Sequence, residues 1–195
     1  MKLIYVRDSK SRGYLSVCVE NDGVRETLFV PEDVYSECGA PIVGDEIDES
    51  VLSRLLFEDE KYRAILSSLK MLSLADNSWK MLSRKLVAKG YSKRAVAEAL
   101  REATERGYIN EPRQMRALIL REANEALSGP RKISARLYSK GYPLSEGLKI
   151  LDSLIESGEV DFERSKQALI EKKLARGAGD EEIRKLLYKH GYDIC

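Results

Sequence analysis

Apolar residues recur along the chain with a period of about fifty residues. One ten-residue pattern occurs three times: an aliphatic residue, a second aliphatic residue four positions later, and Gly-Tyr at the end. The three copies are residues 82–91, 133–142 and 183–192. Two aliphatic residues four positions apart share one face of a helix, and glycine readily takes the left-handed conformation that ends helices. Each copy therefore predicts a helix and its termination signal.

The repeat extends beyond this pattern. At an offset of 51 residues, Leu100 aligns with Leu151 and Gly107 with Gly158. Periods of this size are typical of stacked units that bury their apolar faces against one another. The spacing predicts three tandem three-helix repeats at about residues 69–107, 108–158 and 159–195. The third is incomplete, because no segment of this sequence corresponds to its last helix.

The first 47 residues follow a different period. Leu15, Val17 and Val19 alternate with more polar residues, and a turn signal follows at residues 21–23. This alternation predicts strands within residues 3–30, and Pro31 favours a short helix after them. Residues 48–68 predict one or two linking helices. The expected fold class is mainly α, with tandem three-helix repeats preceded by a small three-stranded β subdomain in residues 1–47.

Composition limits the classes of function. The chain of 195 residues is 43% apolar and 33% charged, and no apolar run approaches the length of a membrane span. The N-terminus becomes charged too early for a signal peptide, so we expect a cytoplasmic protein without membrane contact. Residues 1–75 carry a net charge of −5 and residues 76–195 a net charge of +6. This asymmetry favours a polyanion or an acidic protein surface as the partner of the repeats.

No constellation of residues indicates catalysis. The three cysteines (Cys18, Cys38 and Cys195) form no CxxC pair, the chain has one histidine, and common phosphate-loop, esterase and zinc-protease motifs are absent. His190 aligns with Lys89 and Lys140, which predicts a cation near a helix C-terminus. We therefore expect a protein that is not an enzyme and has no cofactor or metal. The tyrosines that follow the three repeat glycines are expected to pack on their helices, and Trp79 to be a local core or interface residue.

Basic residues are the best candidates for binding a partner. They cluster around the middle helix of the first two repeats, where they could meet acidic protein surface or DNA phosphates. The predicted partner-binding residues are Arg84, Lys85, Lys89, Lys93, Arg94, Arg131, Lys132, Arg136 and Lys140.

Three motifs carry a resemblance to a known family. A basic residue, a leucine and then Gly-Tyr occur in residues 84–91, a Gly-Tyr-Ile-Asn-Glu connector in residues 107–111, and a Gly-Pro-x-x-Ile helix start in residues 129–133. In this order, over about residues 62–195, they resemble the bacterial RecX regulatory proteins. The sequence departs from that pattern in the second connector, residues 158–161, which lacks the aromatic residue, and in the short third repeat.

The resemblance implies a modulator of the RecA recombinase. A RecX-like protein is expected to lie, as a monomer, along the groove of the RecA filament on single-stranded DNA. There it dampens the ATPase, strand exchange and stimulation of repressor cleavage, with direct contact to DNA left open. The alternative interpretation is a general nucleic-acid-binding helical repeat module without a requirement for RecA, supported by the net charge of the repeats.

Overall fold

A computed structural model describes residues 1–193. The chain begins with an antiparallel sheet whose strands lie in the order of the sequence. The strands are β1 (Lys2–Asp8), β2 (Tyr14–Asn21) and β3 (Val24–Pro31), and helix α1 (Glu32–Glu37) follows them. The predicted three-stranded subdomain is confirmed.

The remainder of the described chain is helical. Its helices are α2 (Glu49–Leu74), α3 (Trp79–Ala88), α4 (Lys93–Glu105), α5 (Glu111–Leu120), α6 (Pro130–Ser139), α7 (Leu144–Glu156), α8 (Phe162–Leu174) and α9 (Asp180–His190). A π-helical turn, Arg121–Glu125, continues α5. The mainly α fold class with tandem repeats is confirmed. A single helix, α2, occupies both the predicted linking segment and the start of the first repeat, and its buried face continues in helical register from Leu55 through Tyr62 to Ile65.

The chain divides into two compact units. The first unit contains Met1–Ala75 and Leu82–Tyr108. One face of the sheet, which includes the alternating Val17 and Val19, packs with Leu55 of α2 in a buried core. Side chains alternate between the two faces of a strand, so the period of two in the sequence places Leu15, Val17 and Val19 on the same, buried face. Helix α2 also packs on α4 through small and aliphatic side chains.

The second unit contains Asp76–Met81 and the described residues from Ile109 onward. Its main core joins α5, α6 and α7 through fully or almost fully buried aliphatic residues such as Ile119, Leu137 and Leu151. A smaller core around Leu169 and Leu187 joins α8 and α9. The aliphatic residues of the second and third copies of the repeated pattern therefore lie in or pack against these cores, namely Ile133, Leu137, Ile183 and Leu187.

Equivalent positions of the repeats have equivalent local structure. Asn110 accepts a hydrogen bond from the amide of Arg113 at 3.0 Å, and Asp161 accepts one from the amide of Arg164 at 3.0 Å. The two residues are the N-caps of α5 and α8, and each follows a buried aliphatic residue. A side-chain acceptor at this position satisfies an amide that the helix itself leaves unpaired.

The tyrosines after the repeat glycines pack inside the protein, as predicted. Tyr142 and Tyr192 are buried, and Tyr91 is half-buried against the α2–α4 core. The hydroxyl of Tyr142 donates to Gln114 Oε1 at 3.1 Å. These rings therefore pack against the protein at the helix ends. Trp79 does not belong to a core, since 39% of its surface is exposed.

Two further findings concern features noted in the sequence. Cys18 and Cys38 are free thiols, whereas Cys195 lies outside the described residues. Within residues 1–193, no helix is long and apolar enough to cross a membrane.

Candidate partner-binding surface

The basic residues of the first repeat lie at the surface of the first unit. Helix α3 buries Leu82 and Leu86, so Arg84 and Lys85, which lie between them in the sequence, point away from the buried face and are exposed. Lys89 follows the last helical residue and donates a hydrogen bond from Nζ to Ser67 Oγ at 3.1 Å. The side chains of Arg84, Lys85 and Lys89 are therefore accessible to a partner.

The break at Gly90 places Lys93 and Arg94 on another helix. Gly90 has a φ of 98°, and α4 starts at Lys93 after the N-cap Ser92. The spacing of four between residues 85, 89 and 93 therefore does not place them on one helical face. Glu60 fixes this helix start by accepting hydrogen bonds from the amide and hydroxyl of Ser92, at 2.6 and 2.8 Å.

Arg131 in the second repeat already has partners within its own unit. Its guanidinium lies 3.3 Å from the Asp193 carboxylate and donates to the carbonyl of Tyr192 at 3.2 Å. It also stacks over the ring of Tyr188, 4.5 Å from the centroid. Arg131 thus ties the start of α6 to the end of α9.

Arg136 pairs with a buried carboxylate. Its Nε lies 3.4 Å from Glu122 Oε1, and the Glu122 side chain is only 9% exposed. Ser128 Oγ donates to the other carboxylate oxygen at 3.1 Å. Buried charge requires such partners, so Arg136 stabilises the fold whether or not it also binds a partner.

Lys132 and Lys140 differ from the two arginines. Lys132 is half-buried, and its backbone lies against Gly191. The side chain of Lys140 is exposed and has no ion pair within residues 1–193, although its carbonyl accepts a hydrogen bond from Ser78 Oγ at 2.7 Å. The exposed side chains of Arg84 and Lys93 also have no ion pair in the described chain. A role for any of these residues in binding a partner stays a prediction.

The sequence did not identify the acidic residues that pair with Arg131 and Arg136, which are Asp193 and Glu122. Glu122 continues the buried face of Met115, Leu118 and Ile119 at helical spacing, so an acidic residue in that stripe was the available signal. No comparable signal exists for Asp193, because its pairing depends on the contact between α9 and α6. In residues 1–193, no group of three or more His, Cys, Asp or Glu side chains could hold a metal ion.

Comparison with known proteins gives a consistent result. No family model matches the chain. The sequence is 25% identical over 145 residues to a protein named regulatory protein RecX from Caldanaerobacter subterraneus subsp. tengcongensis, an alignment that covers 69% of this chain and 72% of the relative.

Solved structures share the fold. A crystal structure of regulatory protein RecX has a TM-score of 0.71 at 20% identity and covers 98% of this chain and 94% of its own. RecX from Lactobacillus salivarius has a TM-score of 0.61 at 18% identity and covers 69% of this chain and 90% of its own. Sequence and fold therefore both resemble RecX proteins, which confirms the predicted resemblance.

Proposed function

We propose that this RecX-like chain binds RecA filaments on single-stranded DNA and modulates them, mostly as an inhibitor. The inhibited activities are the ATPase, strand exchange and the co-protease activity that stimulates repressor cleavage. The protein would thus regulate homologous recombination, DNA repair and the SOS response in the cytoplasm. The sequence similarity to a relative named regulatory protein RecX carries the proposal, and the shared fold over 98% of this chain supports it.

The exposed cations of the repeats are suited to such a partner. Arg84, Lys93 and Lys140 have no ion pair to give up within residues 1–193, so an acidic surface or a phosphate could pair with them directly. Arg131 and Arg136 would have to share or exchange their internal partners. We therefore assign the larger share of binding to the first three residues.

Co-sedimentation tests the proposal. The protein is centrifuged with RecA filaments assembled on single-stranded DNA and, in parallel, with the same DNA without RecA. We expect it to pellet with the filaments and not with the bare DNA. Equal pelleting with bare DNA would favour the general nucleic-acid-binding module, and pelleting with neither would exclude both interpretations.

Charge reversal then tests the surface. We expect Arg84→Glu with Lys93→Glu, and separately Lys140→Glu, to weaken filament binding and inhibition of the RecA ATPase. Lys149→Glu, at an exposed lysine of α7 outside the predicted set, is the matched control and should bind like the unmodified protein. Circular dichroism confirms that each variant is folded. Unchanged binding by both test variants would contradict this assignment of the surface.

A further inference from the structure

A cationic pocket lies in the second unit, outside the basic residues predicted from the sequence. It has a volume of about 360 Å³ and lies beside the ends of α8 and α9. Leu127, Leu169 and Leu186 supply its apolar lining, and Leu169 is buried. The exposed Lys172 and Arg176 stand at its solvent side. Pockets of this volume are large enough to enclose a few side chains of a ligand.

The backbone at Leu127 is strained and firmly held. Leu127 has a φ of 48°, a left-handed conformation that bulky residues rarely adopt. Its carbonyl accepts a hydrogen bond from the hydroxyl of Tyr192 at 3.3 Å and another from Nδ1 of His190 at 3.2 Å. The π-helical turn Arg121–Glu125 ends two residues earlier. Strained backbone and π-helical turns are both enriched at functional sites, and here the hydrogen bonds preform the pocket wall.

The charge of the pocket selects anionic ligands. Lys172 and Arg176 have no ion pair within residues 1–193, while Lys173 pairs with Glu182 at 3.3 Å. Glu125 is the single acidic residue among those that line the pocket. Both unpaired cations line the same pocket: Lys172 lies in the last turn of α8, and Arg176 follows two residues after that helix ends. Their side chains could therefore form ion pairs with neighbouring carboxylates of one ligand.

The apolar lining favours an acidic peptide over a nucleic acid as the ligand. Nucleic acid binds through phosphate contacts and through bases stacked on aromatic rings, but no Phe, Tyr or Trp is among the residues that line this pocket, and the His190 ring is hydrogen-bonded to the carbonyl of Leu127. Three leucines instead offer a surface for an aliphatic side chain. A peptide that combines carboxylates with an apolar residue matches both features.

We propose that this pocket binds an acidic peptide segment of a partner protein. Carboxylates of the peptide pair with Lys172 and Arg176, and an apolar side chain between them enters among Leu127, Leu169 and Leu186. The inference concerns a site that the RecA proposal does not use, and it stands or fails without RecA or DNA.

Fluorescence anisotropy with the full chain tests this site. The probe is a labelled peptide in which glutamates flank two central leucines, and the comparison peptide has glutamates throughout. We expect the leucine-containing peptide to bind more tightly. Lys172→Glu with Arg176→Glu should weaken its binding by about tenfold or more, since two attractive pairs become repulsive.

Two further variants separate the pocket from general surface charge. Leu127→Gly removes the apolar side chain, and glycine adopts the left-handed backbone readily, so the protein should fold and bind the leucine-containing peptide more weakly. Lys189→Glu, an exposed lysine of α9 outside the lining, should leave binding unchanged.

Three results would overturn the proposal. They are equal affinity for the two peptides, loss of binding in Lys189→Glu as large as in the double variant, and tighter binding of a thymidine oligonucleotide that displaces the peptide. The last result would assign the pocket to nucleic acid. Because the assay contains no RecA, its outcome is independent of the co-sedimentation experiment.

Discussion

The amide of Gly129 donates a hydrogen bond of 2.7 Å to the carbonyl of His190. The amide of Arg131 donates to the carbonyl of Gly191 at 3.2 Å, so the end of α9 lies directly against the start of α6. The end of α6 makes a similar contact, in which Ser78 Oγ, just before α3, donates to the carbonyl of Lys140. Within the second unit, the segments that end α6 and α9 are therefore each hydrogen-bonded to a residue at or next to the N-terminus of another helix.

Close approach requires glycine at Gly129. A Cβ there would lie 2.6 Å from the carbonyl oxygen of Gly191, which is backbone and cannot rotate away. We expect Gly129→Ala to lower the free energy of unfolding by about 1 to 3 kcal/mol, as overpacking does in a core. Urea denaturation measures the change. Gly179→Ala is the matched control, because Gly179 precedes α9 at the equivalent position and a Cβ there meets nothing within 4 Å. A similar loss in both variants would contradict the role of the contact.

The N-caps of the repeats predict a second, local effect. Asp161→Ala should destabilise the protein by about 1 kcal/mol, because the amide of Arg164 loses its acceptor at the start of α8. Asp161→Asn keeps a side-chain oxygen and should change stability little. Thermal unfolding of the two variants checks this prediction. Equal destabilisation would show that the charge of Asp161, and not its acceptor, matters.

The pair formed by Arg136 and Glu122 predicts coupling between the two residues. Arg136→Ala should lower the free energy of unfolding by about 1 to 3 kcal/mol, because the buried Glu122 carboxylate loses its counter-charge. In the Glu122→Gln background the same substitution should have a smaller effect, which a double-mutant cycle from urea denaturation measures. Lys140→Ala, at an exposed lysine without an ion pair in the described chain, should change stability by less than about 0.5 kcal/mol. Strict additivity of the two substitutions would exclude the coupling.

Tyr142 predicts a loss of stability in alkali. Burial raises the pKa of its phenol from 10.0 to about 12, and the nearby carboxylates Asp76 and Glu111 add to the shift. The neutral phenol is therefore favoured in the folded state, and below pH 10 its stabilising packing is fully present. As the pH rises from 10 to 12, the unfolded chain ionises first, so the free energy of unfolding falls.

Denaturation at pH values from 9 to 11.5 measures this loss. This range covers most of the interval between the ordinary pKa of tyrosine, 10.0, and the raised pKa of about 12. Tyr142→Phe should be less stable at neutral pH, because it loses the hydrogen bond to Gln114, but should show a shallower decline in alkali. Tyr138→Phe is the control, since Tyr138 is 73% exposed. A decline in Tyr142→Phe as steep as in the control would contradict the assignment to Tyr142.

The sequence by itself determined the elements of the fold. Alternation in Leu15, Val17 and Val19 indicated the strands, and the Gly-Tyr pattern located the ends of α3, α6 and α9. These signals are local, because side-chain period and the freedom of glycine at positive φ act within a few residues. Gly147 lies inside α7, where glycine is intrinsically unfavourable. In the fold, a Cβ at that position would lie 2.7 Å from Leu137, so the glycine permits a close approach.

The tertiary structure decided which of the predicted cations are already paired. Arg131 reaches Asp193, and Arg136 reaches the buried Glu122, whereas Lys140 has no ion pair among the described residues. In the sequence these three residues look alike, since each is a basic residue on or just after the same predicted helix. Their difference arises from side chains that only the folding of α5, α6 and α9 against one another brings within a few ångströms.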